Sequence, residues 1–206
     1  MDERPIRSIQ QVTNNRFLNY YELEAVDRKG RSFPYYLASR AENVSGLRIN
    51  DPLLPPDGVA ICSLYGPKRD RIVLVRQFRY PAGKYVYELP AGLVEKGEDC
   101  RETAVREMRE ETGLTFTPID VHPMFERPFY MTIGMTDEMC SMVCGYAQGE
   151  VSIDSLEVSE RLQVILADQA QARRILEEEP LALNCAFMLM RFIMEENPED
   201  MFRKMK

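Results

Sequence analysis

The sequence predicts an α+β fold, a mixed sheet sandwiched between helices (an α/β/α sandwich), preceded by an antiparallel β-hairpin. Three observations carry this expectation. Strand-like and helix-like runs follow one another without the regular βαβ rhythm of a wholly parallel sheet. A polar, proline-containing stretch over 39–56 separates an aromatic-rich N-terminal segment from the rest of the chain. The 206 residues, 45% hydrophobic and 29% charged, can bury a full core without disulfide or metal staples.

Taken in order, residues 16–23 (RFLNYYEL) are aromatic-rich and read as a strand. Asp27-Arg28-Lys29-Gly30 then turns the chain, and 32–37 returns as a second strand. The expected division is therefore an N-terminal hairpin extension over 1–56 and a main domain over 57–206. In the main domain, 59–65 and 71–75 are β-rich runs about the turn Gly66–Asp70, and 85–89 is a short strand stopped by Pro90. A helix fits 99–112 and is closed by Gly113. Further strands are expected over 139–146 and 162–167, and helices over 169–178 and 181–196.

Charge and residue usage exclude several functions. With 26 Lys plus Arg against 33 Asp plus Glu, the net charge is −7, which gives no long-range field to gather nucleic acid. His122 is the one histidine and Trp is absent, so His-ligated zinc is nearly excluded. Five scattered cysteines do not form a secreted disulfide framework, and no run of about 18 apolar residues could span a membrane. A cytoplasmic protein with free thiols is expected. The Met-rich run 187–194 reads as core or dimer interface, and His122 as structural.

The chemistry is concentrated in 92–114. Asp99 followed by Glu102 has the form of a capping box, so the helix starts near Cys100. At about 100° per residue, Glu107, Glu110 and Glu111 share one arc, while Ala104, Val105 and Met108 take the neighbouring arc toward a core. Arg106 can pair with Glu110 one turn on. Three carboxylates on one face repel one another, and one arginine cannot neutralise them all. Such an oxygen cluster suits Mg²⁺ or Mn²⁺, and a cation so held can bridge the oxygens of a diphosphate.

Gly92, Glu98, Arg106, Glu107, Met108, Glu110, Glu111, Gly113 and Leu114 match every fixed position of the box G-x5-E-x7-R-E-U-x-E-E-x-G-U. On this the chain is identified as a member of the Nudix hydrolases. The resemblance implies a Nudix fold and divalent-metal-dependent cleavage of a nucleoside diphosphate linked to another moiety. Arg76-Gln-Phe-Arg79-Tyr and Glu88-Leu-Pro-Ala-Gly92 resemble the ADP-ribose pyrophosphatase branch, as does the N-terminal hairpin, which in that branch serves dimerisation and part of the substrate site. One loop departs from that branch, carrying Ile133 where a proline is typical.

Carried over residue by residue, the resemblance makes Glu107, Glu111 and the Ala91 carbonyl metal ligands, with Glu110 a ligand or a water-mediated contact. Arg106 and Glu98 orient the cluster, and Gly92 and Gly113 are structural. Arg79 is the candidate for the substrate diphosphate, with Arg76 and Glu88 beside it. Glu160, then Glu157, are the candidates for catalytic base in a loop after the box. Tyr35, Tyr36 or Phe17 could stack an adenine. The expected activity is a Mg²⁺-dependent pyrophosphatase for ADP-ribose or a related nucleoside diphosphate sugar, acting as a homodimer. The alternatives are another nucleotide sugar or dinucleotide as substrate, or a silent nucleotide sensor.

Overall fold

The computed structural model describes residues 4–156 and 161–205. In chain order the strands and helices are β1 (Ile6–Gln11), β2 (Asn19–Val26), β3 (Ser32–Ser39), β4 (Gly58–Tyr65), β5 (Arg71–Arg79), β6 (Lys84–Glu88), β7 (Ala91–Leu93), α1 (Cys100–Thr112), β8 (Thr115–Pro118), α2 (Pro123–Glu126), β9 (Phe129–Tyr130), β10 (Met139–Gln148), β11 (Leu162–Ala167), α3 (Gln169–Glu178), α4 (Leu183–Met194) and α5 (Asp200–Arg203). They fall into two compact units. One holds the chain up to Asp57 together with Phe129–Cys140, and the other holds Gly58–Pro128 and the chain from Ser141 onward.

The first unit is a three-stranded antiparallel sheet in the order β1-β2-β3, one strand more than the expected hairpin. The β2–β3 pairing runs in unbroken register from Asn19↔Ser39 to Val26↔Ser32. β1 was not foreseen because a register shift between Ile6 and Ser8 breaks its period-two alternation. Tyr21, Leu23 and Leu47 form the small core of this unit. The loop before β10 adds to the edge of β3 through Ala38 N–H donating to Met135 O at 2.9 Å. Arg48, nearly buried, is tied to Asp57 at 2.8 Å.

The second unit is built on a sheet in the order β11-β5-β4-β10-β8, with β6 beside β5 and β7 beside β4. The sheet is mixed, as expected. β5 runs antiparallel to β4 and β11, whereas Gly66 N–H bonds Ala147 O at the far ends of β4 and β10, so those two strands end together. Alternate residues of β4 and β5 serve two cores. Val59, Ile61 and Val73 pack with Ala104 and Met108 of α1 on one face. Cys62, Leu64, Ile72 and Leu74 pack with Ile175, Leu189 and Phe192 of α3 and α4 on the other. This is the helix–sheet–helix layering that the sequence predicted. Val105, expected in the core, is exposed; the helix expected over 181–196 is α4, and the short α5 follows Pro198 beyond it.

Candidate active site

The box is a strand, a turn and a helix that bring its charged side chains onto one face. Asp99 caps α1, its carboxylate accepting from the Arg101 and Glu102 N–H groups, while Glu102 reaches back to the Asp99 N–H at 3.0 Å. Gly113 ends the helix in the left-handed region at φ 73°, and a Cβ there would meet Ser152 N at 2.6 Å.

Arg106 is the hub of the site. Its Nε and Nη2 donate to the two oxygens of Glu98 at 2.9 and 3.0 Å, and its Nη1 donates to Glu107 Oε1 at 2.7 Å and Glu110 Oε2 at 2.9 Å. Nη2 also donates to the Leu93 carbonyl at 3.0 Å. These contacts use all of the guanidinium's donor capacity. Glu98 additionally accepts from Thr103 Oγ1 at 2.9 Å. Arg106, and then Thr103, hold the Glu98 carboxyl at about 2, well below its ordinary value of 4.5. The Arg106 pKa is raised in turn, chiefly by Glu98.

The expected ligand residues are brought together around this hub. Glu111 is buried and accepts from the Ala91 N–H at 3.2 Å, which sets β7 against the last turn of α1. A Cβ on Gly92 would lie 1.9 Å from the Glu107 carboxyl, so the box glycine is the cradle in which the Glu107 side chain lies. Glu110 stands half-exposed at the rim. Among the described residues no three carboxylate, imidazole or thiol groups are gathered tightly enough to hold a metal on their own. The Arg106 guanidinium is the positive centre among these oxygens instead. The donor set is hard oxygen throughout, and that chemistry fits Mg²⁺ or Mn²⁺.

The neighbouring β5–β6 hairpin sorts the two candidate arginines. The pairs Val75↔Glu88, Gln77↔Val86 and Arg79↔Lys84 place Arg79 and Glu88 on the sheet face that carries Val73 and α1. There Arg79 Nε donates to Glu88 Oε2 at 2.7 Å. Arg76 lies on the opposite face, its guanidinium 4.6 Å from the Tyr85 ring centre and 5.8 Å from that of Tyr87. Arg76 is thus separated from the box by the sheet, because adjacent strand positions point oppositely. Thr103 was not singled out by the sequence, and nothing in its spacing could have found it. Glu157 and Glu160 lie outside the described residues.

Comparison with known proteins bears on the same segment. The family model for the NUDIX domain matches residues 54–180, more than half of the chain. The chain belongs to the Nudix family. An ADP-ribose pyrophosphatase of Bacillus subtilis is 32% identical over 117 residues, covering 55% of this chain and 60% of that protein. An ADP-ribose pyrophosphatase of Saccharomyces cerevisiae is 25% identical over 161 residues, covering 76% and 66%. The chain spans less than half the length of three further curated relatives, between 30% and 45%. A solved structure described as an ADP compounds hydrolase superposes with a TM-score of 0.58 at 21% identity, covering 90% of this chain and 91% of that one, and so shares the fold. The expected family and fold class are borne out by these matches.

Proposed function

We propose that this Nudix protein is a Mg²⁺- or Mn²⁺-dependent pyrophosphatase that cleaves the diphosphate of ADP-ribose or a related nucleoside diphosphate sugar. The observation that carries the reading is the Glu107–Glu110–Glu111 face, set by Arg106 and Gly92 against Ala91. Glu107, Glu111 and the Ala91 carbonyl, with Glu110 at the rim, would hold the cation. When bound, the cation would neutralise the diphosphate and lower the pKa of a coordinated water. Arg79 would bind the diphosphate oxygens through its planar fork, with Glu88 fixing its orientation until substrate arrives. Glu160, or failing it Glu157, would accept the proton of the water attacking one phosphorus in line. For ADP-ribose and one water, the products balance as AMP and ribose 5-phosphate. Two copies would pair through the N-terminal unit, as the resemblance to the ADP-ribose pyrophosphatase branch implies, and the five free cysteines suit a cytoplasmic setting.

The experiment is a hydrolysis assay on ADP-ribose with and without Mg²⁺, with products identified by mass. AMP plus ribose 5-phosphate, formed only with the metal, is the expected result. No turnover of ADP-ribose or of other nucleotide sugars, with binding retained, would overturn the reading in favour of a sensor. Light scattering at micromolar protein should give the mass of a dimer, and a monomer mass would refute the pairing.

A further inference from the structure

The end of the three-stranded sheet where β1 begins and β2 turns into β3 carries a second cluster of arginines. Arg4, Arg7 and Arg28 line one concavity of about 730 Å³, together with Asp27, Gly30 and the apolar Pro5, Ile6 and Val26. Lys29 and Arg31 flank it on the turn, and among the described residues the acids that pair with any of these five basic side chains are Glu24 and Asp27.

Both acids are already engaged. Asp27 Oδ1 accepts from the Lys29 and Arg31 N–H groups at 2.8 and 2.9 Å, and its Oδ2 takes the Arg31 Nε at 2.9 Å. Glu24 accepts from Ser32 Oγ at 2.8 Å and Ser8 Oγ at 3.2 Å, and pairs with Arg7 at 3.6 Å. These bonds hold both carboxyls below their ordinary values, led by Ser32 for Glu24 and by the Arg31 N–H for Asp27. Arg7 is itself oriented by Ser32 Oγ at 2.7 Å and the Gly30 carbonyl at 3.3 Å. Among the described residues, Arg4 and Arg28 have no acidic partner, and both are exposed at the concavity.

Around a single hollow stand one oriented guanidinium and two that, among the described residues, no acid pairs with, and such a setting suits a multiply charged anion. Guanidinium forks match phosphate oxygens bidentately. The hollow lies within the roughly 300–1,000 Å³ of small-ligand sites, which argues for a compact ligand rather than a polymer laid along a stripe. We propose that this end of the N-terminal sheet binds a small anion carrying two or more phosphates, at a site separate in sequence and in residues from the Nudix box.

The test is isothermal titration of the full chain with inorganic pyrophosphate and with ADP, in metal-free buffer at low salt. It uses wild type, the double variant Arg4→Ala/Arg28→Ala, and Arg79→Ala. Saturable binding is expected in wild type and in Arg79→Ala, weakened at least about tenfold in the double variant, whose catalytic turnover stays unchanged. Equal affinity for the two probes would assign the ligand to phosphate alone, and tighter ADP would assign it to a nucleotide. Binding that survives in the double variant but is lost in Arg79→Ala would overturn the proposal. So would the absence of saturable binding, or binding of an RNA oligomer but of neither small probe.

Discussion

The box helix and the basic end of the N-terminal sheet both depend on arginine, and they use it oppositely. Arg106 spends its donors on Glu98, Glu107, Glu110 and the Leu93 carbonyl, all from its own chain. Arg4 and Arg28 line a hollow whose own acid, Asp27, is taken up by Arg31, while nearby Glu24 is held by Ser32. A guanidinium saturated by its own chain builds a scaffold, because moving it would strand several charges at once. One left without an acid offers its donors to whatever anion enters. The contrast separates an arginine that shapes a site from one that receives a ligand, although composition treats them alike.

The strongest way to break the box side of this contrast is to remove a carboxylate while keeping its shape. Glu111→Gln keeps the volume and the contact to Ala91, and turnover should fall by at least about a thousandfold. A circular dichroism melt should show the fold preserved, and near wild-type kcat would refute the site. Gly92→Ala comes next. Its new methyl would displace the Glu107 carboxyl, so kcat should drop by about a hundredfold from misplacement alone. The melt should also register a cost of about 1–3 kcal/mol for overpacking. Wild-type activity in that variant would mean that Glu107 does not need its place over Gly92.

The box was legible because its chemistry is local. Twenty-three contiguous residues carry it, and the helix period alone puts Glu107, Glu110 and Glu111 together. What was not legible depended on which surface lay across from a residue. Arg76 and Arg79 stand three apart on β5 and look equivalent in sequence, yet the sheet places only Arg79 on the α1 face. The loop of Phe129–Cys140 joins the N-terminal unit through pairings some ninety residues away in sequence, such as Arg48 N–H to Asp137 Oδ2 at 3.2 Å, and no local pattern encodes such a contact. β1 was hidden by its register shift. The reason for a glycine at 92 emerged only when the Glu107 side chain was seen lying over it.

A smaller and more specific effect follows from Arg106→Ala, which should lower kcat by about 10–100-fold by loosening the carboxylates it orients. Its distinctive readout is the pH dependence of stability. Glu98 titrates near 2 in the folded chain against an ordinary 4.5, so its contribution is fully present above about 4.5 and disappears as pH falls toward 2. Wild-type Tm should therefore fall across that window more steeply than the variant's. Parallel curves would show that Arg106 is not what holds Glu98 ionised.

The smallest effect sharpens the contrast from the helix end. Asp99→Ala removes the capping carboxylate that serves the Arg101 and Glu102 N–H groups, and leaves Arg106 and its partners in place. The loss should be about 1 kcal/mol, or about 2–4 °C in Tm for a chain of this size, read by thermal melting. Turnover at a permissive temperature should stay within about twofold of wild type, since the cap acts on helix stability and the ion network acts on the carboxylates. If kcat fell as far as in Arg106→Ala, the start of α1 rather than its guanidinium hub would be what positions Glu107 and Glu110. The scaffold role given to Arg106 would then pass to the helix cap.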